Sequence, residues 1–441
     1  MRTLVTVLLV AALAAPAAAT DTVTPNVEVI SRVEYTGGTE VAWDGDYLYT
    51  GELNGHTGRD QIATKGGIHI FDVSEPAPVE VGFLACPGSD HDVVVVRPGL
   101  LAVAHHKSTC NPRTSGNGIY LVDVSDPAAP TVVGGVSVAS AHTLTPKPNS
   151  DYIYVHPGGL AVGGGVTSIV DITDVTRPKV AATFKPSAAG CHDLQFLMAG
   201  TRDLAFCASG GAGEVQTWDV SDPLAPVIIG RIVNPAIQFP HNAVPSPDGT
   251  LLVINDEAFA AHECATGTSV EGSLWTYDIS DPAMPVLAGR VAPPTSRAVV
   301  NTAGGTEKWC TAHNYNFIPG TRTLAVSWFT GGTTIENLDN PLSPQRLAHY
   351  QPDDANAYTA HWYDGRVWVN DMNRGLETLH VEGLAEGVSE PVPTPPDGDL
   401  AAAALTLNFT PSAPRARTAQ GRGPTLFCTL GPSDPGAEPH P

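Results

Sequence analysis

Short apolar segments separated by turn residues fill the chain between about residue 25 and residue 384. Apolar and polar positions alternate within them and β-branched residues are common, as in HDVVVV from His91 and GTLLVIND from Gly249. This period of two predicts β-strands, and no segment has a convincing helical period. Asp-Gly pairs predict tight hairpin turns between the strands, at Asp44, Asp248 and Asp364. We therefore expect an all-β protein.

One phrase recurs along these segments about every 50 residues. Clear copies are GGIHIFDVSEPAPVEVGFL from Gly66, NGIYLVDVSDPAAPTVVGGV from Asn117, GEVQTWDVSDPLAPVIIGRI from Gly213 and GSLWTYDISDPAMPVLAGRV from Gly272. Weaker copies begin at Gly164, Gly331 and Arg374. A period of this length, built from four short strands, is typical of a β-propeller, so seven copies predict seven four-stranded blades.

The seventh copy lacks a fourth strand, because the residues after His380 do not match the phrase. The segment PNVEVISRV from Pro25 resembles the fourth-strand segment PVEVGFL from Pro78. We therefore expect an N-terminal strand to complete the last blade. Such a closure would remove the free strand edges that an open array exposes.

The two ends of the chain differ from the repeats. Residues 1–19 contain one Arg, an apolar run and then AAPAAA, which predicts a secretory signal peptide. Residues 385–441 are rich in Pro, Ala and Gly and predict a disordered tail. The expected organisation is a signal peptide at 1–19, one seven-bladed propeller at 20–384 and a tail at 385–441. We expect a monomer that is secreted, or held at the cell surface.

The charge balance limits the partners. The formal net charge is −22 at pH 7, with only 23 Lys and Arg residues. The sequence therefore predicts no basic surface of the kind that binds nucleic acid. No segment after the signal peptide is long and apolar enough for a membrane-spanning helix. The expected partner is a protein or a small-molecule ligand.

The phrase I-x-L-V-D-V-S-D-P-x-x-P resembles the LVIVD repeat of secreted and cell-surface bacterial and archaeal propellers. The resemblance extends over about Pro25 to Leu384. It implies the fold and the extracellular location, but it implies no reaction. We interpret the phrase itself as structural, because Asp and Ser side chains cap turns and Pro restricts the entry into the next strand.

A recurring histidine is the feature that could carry chemistry. It opens the first strand of six predicted blades, and we align Glu40 with it in the first blade; the histidines are His91, His142, His192, His241, His313 and His361. First strands line the central channel of a propeller, so these residues should gather at one mouth. They could be structural, as in tryptophan-aspartate repeat propellers, where such a histidine bonds within its own blade. Alternatively, a subset of the seven binds a divalent transition metal, for which imidazole favours copper or zinc.

Loops between second and third strands lie on the same face as the histidines. They contain further polar candidates for a ligand site, namely Glu52, His106, Asp256, Glu257, His262 and Asp371. A few histidines and carboxylates converging on a channel would form a metal or ligand site. Neither HExxH nor CxxC is present to specify a metal more closely.

Seven cysteines fit an oxidising compartment, and six of them lie in the repeats. Sequence alone does not fix their connectivity. Their positions in the predicted blades favour the pairs Cys86–Cys110, Cys191–Cys207 and Cys264–Cys310, all on the histidine face.

Two functions from different classes fit these features, and the sequence leaves open whether the protein is an enzyme. The first is a secreted binding or scaffold module without catalysis. The second is a metal-dependent enzyme, such as a copper-type oxidase, with Glu40 or Glu257 as the base. Methanethiol oxidase and selenium-binding propellers are similar to this second case in architecture and histidine content only. The segment from Phe239 also resembles a blade of a lactonase-type propeller, which adds a hydrolase as a further alternative.

Overall fold

The computed structural model describes residues 22–52, 66–86, 89–106, 117–159, 162–199, 202–258, 270–294, 299–300, 306–307 and 311–384. The predicted signal peptide and the predicted tail lie outside these residues, as do His262, Cys110, Cys264 and Cys310. No helix in the described ranges combines the length and the apolar character needed to cross a membrane.

Seven antiparallel sheets arranged in a ring form the propeller, as the repeat predicts. The strands are β1 (Thr22–Val23), β2 (Val27–Val33), β3 (Gly38–Asp44), β4 (Tyr47–Glu52), β5 (Gly67–Asp72), β6 (Val79–Ala85), β7 (Ser89–Arg97), β8 (Leu100–His106), β9 (Gly118–Asp123), β10 (Thr131–Ser137), β11 (Thr143–Pro146), β12 (Tyr152–His156), β13 (Thr167–Asp171), β14 (Lys179–Phe184), β15 (Asp193–Ala199), β16 (Arg202–Ser209), β17 (Glu214–Asp219), β18 (Val227–Val233), β19 (Pro240–Pro245), β20 (Leu251–Asp256), β21 (Leu274–Asp278), β22 (Val286–Val291), β23 (Val299–Val300), β24 (Thr306–Glu307), β25 (Tyr315–Phe317), β26 (Thr323–Ser327), β27 (Thr333–Asn337), β28 (Gln345–Gln351), β29 (Ala357–Tyr363), β30 (Arg366–Asp371) and β31 (Gly375–Val381). Two 3₁₀ turns, Val162–Gly165 and Gly210–Ala212, accompany them.

Blades one to six take their four strands consecutively from the chain, as β3–β6, β7–β10, β11–β14, β15–β18, β19–β22 and β25–β28. Blade seven consists of β29, β30 and β31, with β2 as its fourth strand. The predicted N-terminal closure is therefore confirmed, and Val27 lies opposite Val381. An additional short strand, β1, pairs with β28 as a fifth strand of blade six and was not expected from the sequence.

The apolar core lies between neighbouring blades. Ala42 and Tyr49 of blade one, for example, belong to the same buried cluster as Val93 and Val103 of blade two. First, second and third strands are buried on both faces, whereas fourth strands are partly exposed. This explains why the inner strands are almost continuously apolar and the outer ones alternate.

The repeated phrase caps turns, which confirms its structural interpretation. Asp72 Oδ1 accepts a hydrogen bond from the Ser74 backbone N–H at 2.9 Å. The same bond, from the residue two positions ahead, recurs at Asp123, Asp171, Asp219, Asp278 and Asn337. These Asx turns fix the link between third and fourth strands in six blades.

A small residue occupies one register position of every fourth strand. It follows a β-bulge and is Gly82, Gly134, Ala182, Gly230, Gly289, Ala348 or, in the closing strand, Ser31. A Cβ atom added to Gly289 would lie 1.8 Å from the Pro341 carbonyl oxygen in the turn of the next blade. At the closure, Ser31 Oγ donates to the Pro76 carbonyl oxygen at 2.8 Å. At the four glycines and at Ser31, the turn of one blade therefore docks against the small residue of the preceding one.

The predicted disulfide between Cys191 and Cys207 is confirmed, with a Cα–Cα distance of 5.4 Å. It joins Cys191, two residues before β15 and next to His192, to Cys207 in β16. Cys86 is buried, but the other two predicted pairs involve residues outside the described ranges.

Replacing both Cys191 and Cys207 with Ala is expected to lower the free energy of unfolding by about 3 kcal/mol, because the bridge links residues 16 positions apart and so closes a loop in the unfolded chain. Urea unfolding followed by tryptophan fluorescence measures this change. A Met198→Ala variant, altered at a partly exposed position of β15, is the control and should differ far less from the wild type. A double cysteine variant as stable as the wild type would contradict the prediction.

Candidate metal centre

Four of the predicted histidines meet at the channel, one from each of blades three to six. The ring centroids of His142 and His192 are 4.7 Å apart, and those of His192 and His241 are 4.0 Å apart. His313 continues the row, 4.5 Å from His241. All four side chains are buried.

The backbone places these histidines equivalently. The N–H groups of His142, His192 and His313 donate to carbonyl oxygens at or near the ends of the second strands in their own blades, at 2.8, 2.6 and 2.9 Å. His241 lies at the start of β19. In blades three to six, the repeat thus places one imidazole per blade at the same level of the channel.

The ring nitrogens of His241 distinguish the two interpretations of the row. Within the part of the chain that the structure describes, neither Nδ1 nor Nε2 of this fully buried ring has a hydrogen-bond partner. His313 Nδ1 donates to the Tyr358 carbonyl oxygen of the next blade at 2.7 Å, which leaves Nε2 with its lone pair. A purely structural role within the blade does not account for these rings, because buried polar atoms are normally hydrogen-bonded.

Two buried carboxylates flank the row. The Glu257 oxygens lie 3.6 Å from His241 Nε2 and 3.9 Å from His313 Nε2. Asp193 Oδ2 lies 3.7 Å from His241 Nδ1 and 3.6 Å from His192 Nδ1. No hydrogen bond from a described residue reaches the carboxylate oxygens of Glu257 or Asp193.

These separations match neighbouring metal ligands better than hydrogen bonds. A hydrogen bond between nitrogen and oxygen is usually 2.7–3.2 Å long. Ligand atoms 2.0–2.1 Å from a tetrahedral zinc ion are about 3.4 Å from one another. Two groups of three, His192–Asp193–His241 and His241–Glu257–His313, each have ligand atoms within 4.8 Å of one another.

Burial controls the protonation of these groups. Loss of solvent lowers the pKa of His192 and of His313 to about 3, and that of His241 well below its usual value. Loss of solvent also raises the pKa of Glu257. It raises the pKa of Asp193 as well, and the negative charges of Asp92 and Glu40 raise that pKa further. The imidazoles are therefore neutral at pH 7, the form in which histidine binds metals.

The repeats identify the chain. Sequence models of the LVIVD repeat match residues 114–138 and 270–292. This chain is an LVIVD-repeat propeller. The repeats and the Cys191–Cys207 disulfide fit an extracellular protein.

Solved structures similar to this LVIVD propeller share its fold at low sequence identity. The periplasmic gluconolactonase of Pseudomonas aeruginosa has a TM-score of 0.51 and 13% identity, over 70% of this chain and 83% of its own. A functionally unknown protein from Desulfotomaculum acetoxidans has a TM-score of 0.51 and 9% identity, covering 75% and 94%. Saccharomyces cerevisiae Sqt1 has a TM-score of 0.51 and 8% identity, covering 79% and 84%. No curated protein is significantly similar in sequence.

Glu40 and His361, which the sequence aligned with the row, form a separate pair in the LVIVD propeller. His361 Nε2 lies 2.7 Å from Glu40 Oε1, and Glu40 also accepts hydrogen bonds from Thr359 and Asn314. Strand register explains the difference. Ala243 lies opposite Ile254, and Ala360 lies opposite Val369. Ile254 and Val369 each directly precede an Asn-Asp pair at the end of a second strand, so they are equivalent positions.

This register aligns His241 with Tyr358, so the alignment of His361 with the row was wrong by three residues. The same comparison aligns Glu40 with the residue after the histidine, not with the histidine itself. The Tyr358 ring packs against that of His313, with centroids 4.2 Å apart.

Three other predicted ligands, Asp256, Asp371 and Glu52, instead accept hydrogen bonds from backbone N–H groups of loops in the LVIVD propeller. Asp256 accepts backbone hydrogen bonds from Gln238, Phe239 and Gly272. Asp371 accepts from Asn356, Asn373 and Arg374, and Glu52 accepts from Gly66 and contacts His69. The side chains of His91 and His106 and all of His262 lie outside the described residues.

The sequence interpretation missed Asp193. Its position directly after His192 was visible in the dipeptide His-Asp, which also occurs at Asp92. Both carboxylates are fully buried. His192 lies in a bend directly before β15, so strand alternation does not apply between its side chain and that of Asp193, the first residue of the strand.

Proposed function

We propose that this LVIVD propeller binds a divalent transition metal at its channel mouth through His241 Nε2, His313 Nε2 and Glu257. The observation that carries the proposal is that these buried ligand atoms converge and have no hydrogen-bond partner among the described residues. An unpaired buried polar group costs about 1–3 kcal/mol. A bound cation would satisfy all three side chains at once.

The donor set suits zinc or copper. Two neutral imidazoles and one carboxylate form a mixed nitrogen and oxygen set of the kind that zinc accepts. The bond from His313 Nδ1 to the Tyr358 carbonyl oxygen would fix the tautomer and the ring orientation, as metal-bound histidines usually require. A bound metal would take the place of the proton that burial otherwise favours on Glu257.

Three protein ligands leave a coordination position for water or another small ligand. Such a centre is compatible with both functions inferred from the sequence, a binding module and a metal-dependent enzyme. Metal binding is the step that the two functions share, so it is the property to test.

The test is elemental analysis of the mature protein, purified without an affinity tag or chelator and then dialysed against zinc or copper. We expect at least one equivalent of metal in the wild type and a loss of one equivalent in Glu257→Gln. The matched control is Glu271→Gln, which removes an exposed carboxylate of the same blade and should keep the wild-type content. A wild-type protein without metal, or a Glu257→Gln variant with undiminished metal, would contradict the proposal.

A further inference from the structure

His241 directs its two ring nitrogens at two different carboxylates. Nε2 lies 3.6 Å from Glu257 Oε2, whereas Nδ1 lies 3.7 Å from Asp193 Oδ2. The two lone-pair directions of an imidazole diverge, so one ion cannot be bound by both nitrogens. A single cation beside Glu257 would therefore leave the Nδ1 side of a buried ring without a partner.

His192 is turned towards the same carboxylate from the other side. Its Nε2 lies 3.1 Å from His142 Nε2, so one of the two nitrogens must carry the proton between them. If His192 Nε2–H donates, its Nδ1 keeps a lone pair, and this atom lies 3.6 Å from Asp193 Oδ2. His192 Nδ1, His241 Nδ1 and Asp193 thus form a second set of three ligand atoms, equivalent in kind to the first.

The buried carboxyl groups around the channel mouth support more than one cation. Four carboxylates are buried there, those of Glu40, Asp92, Asp193 and Glu257. None of them forms an ion pair with a Lys or Arg of the described ranges. A single divalent ion beside Glu257 would leave Asp193, whose oxygens accept no hydrogen bond from a described residue, without a compensating partner.

We propose that the channel mouth binds two divalent transition-metal ions that share His241 as a bridging imidazolate. The first ion is bound by His241 Nε2, His313 and Glu257, and the second by His241 Nδ1, His192 and Asp193. This inference rests on the proposed function, because it adds a second ion to the same centre. The bridge requires His241 to release its ring proton to solvent when the second ion binds.

The experiment uses copper(II) and the mature protein, and measures copper per chain together with the number of unpaired spins by electron paramagnetic resonance. We expect two copper ions per chain in the wild type but far fewer than two spins, because an imidazolate bridge couples the spins antiparallel. Asp193→Asn should bind one copper ion with one full spin, and so should Glu257→Gln. His349→Gln, which removes a partly buried histidine bonded to the Gly331 carbonyl oxygen, is the matched control.

The other outcomes separate the two proposals. One copper with one full spin in the wild type, lost in Glu257→Gln but kept in Asp193→Asn, would overturn the bridge and leave the proposed function in place; Asp193 would then only orient His241. Two copper ions with two full spins would also overturn the bridge. No bound copper or zinc in the wild type would overturn both proposals.

Discussion

A His241→Leu variant is expected to be more stable than the wild type when both proteins are free of metal, and to gain no stability from zinc. The His241 ring is fully buried, and neither nitrogen has a hydrogen-bond partner among the described residues. Replacing it with an apolar side chain of similar volume removes a desolvation cost of about 1–3 kcal/mol. The metal-free variant should therefore gain roughly that amount in free energy of unfolding.

Zinc should reverse the order of stability, so that the wild type becomes more stable than His241→Leu. A metal that binds only the folded state stabilises it by about 4 kcal/mol when its free concentration is 1,000 times the Kd. The wild type should gain this stabilisation and His241→Leu should not. Urea unfolding at pH 7.5, with chelator or with excess zinc, measures both effects.

His349→Leu is the control for removal of a histidine elsewhere in the ring. It loses a hydrogen bond to the Gly331 carbonyl oxygen and should be slightly less stable, yet zinc should stabilise it as it does the wild type. If His241 has only a structural role, His241→Leu should instead be destabilised without metal and zinc should stabilise neither protein. That result would remove the basis for a metal centre.

The second large effect is expected from Gly289→Val, which should destabilise the propeller by about 3 kcal/mol or more. The new Cβ would lie 1.8 Å from the Pro341 carbonyl oxygen and 2.7 Å from its carbon. These are backbone atoms in the capped turn of blade six, so they cannot rotate aside as a side chain would. The contact between blades five and six must open to admit the valine.

Urea unfolding of Gly289→Val, beside Leu287→Val on the same strand, measures this effect. Leu287 is 54% exposed, so the control should change stability by no more than about 0.5 kcal/mol. A Gly289→Ala variant should fall between the wild type and Gly289→Val. Equal stability of Gly289→Val and the control would show that the small residue is not required at this position.

The sequence predicted most of the fold because the repeat is explicit. The DVSDP phrase located the third strands, and the likeness of two segments near Pro25 and Pro78 predicted the closing strand. It did not predict β1, because Thr22 and Val23 form too short a strand to show a period. The glycine in the fourth strands was visible in the repeat, but its role depends on a turn of the next blade, which no local pattern contains.

The candidate site was only partly predictable for a related reason. The histidine row followed from the repeat, and Glu257 followed from its place after the second strand of blade five. His361 was misaligned because blade seven has Tyr358 at the equivalent register. The alignment was based on histidines, so it matched the nearest histidine of that blade instead. Asp193 was missed because His192 lies in a bend before β15 rather than on the strand, so strand alternation does not separate the two side chains.

The way the ring closes has a consequence for the order of folding. Blades four, five and six, which carry His192, His241 and His313, each take their four main strands consecutively, so hairpins form them. The closing blade must instead bring Val27 to Val381, the two ends of the described chain. Loop-closure entropy makes such a distant pairing slow compared with local hairpins. The ligands of the candidate centre are therefore expected to assemble first, and the completion of the ring sets the folding rate.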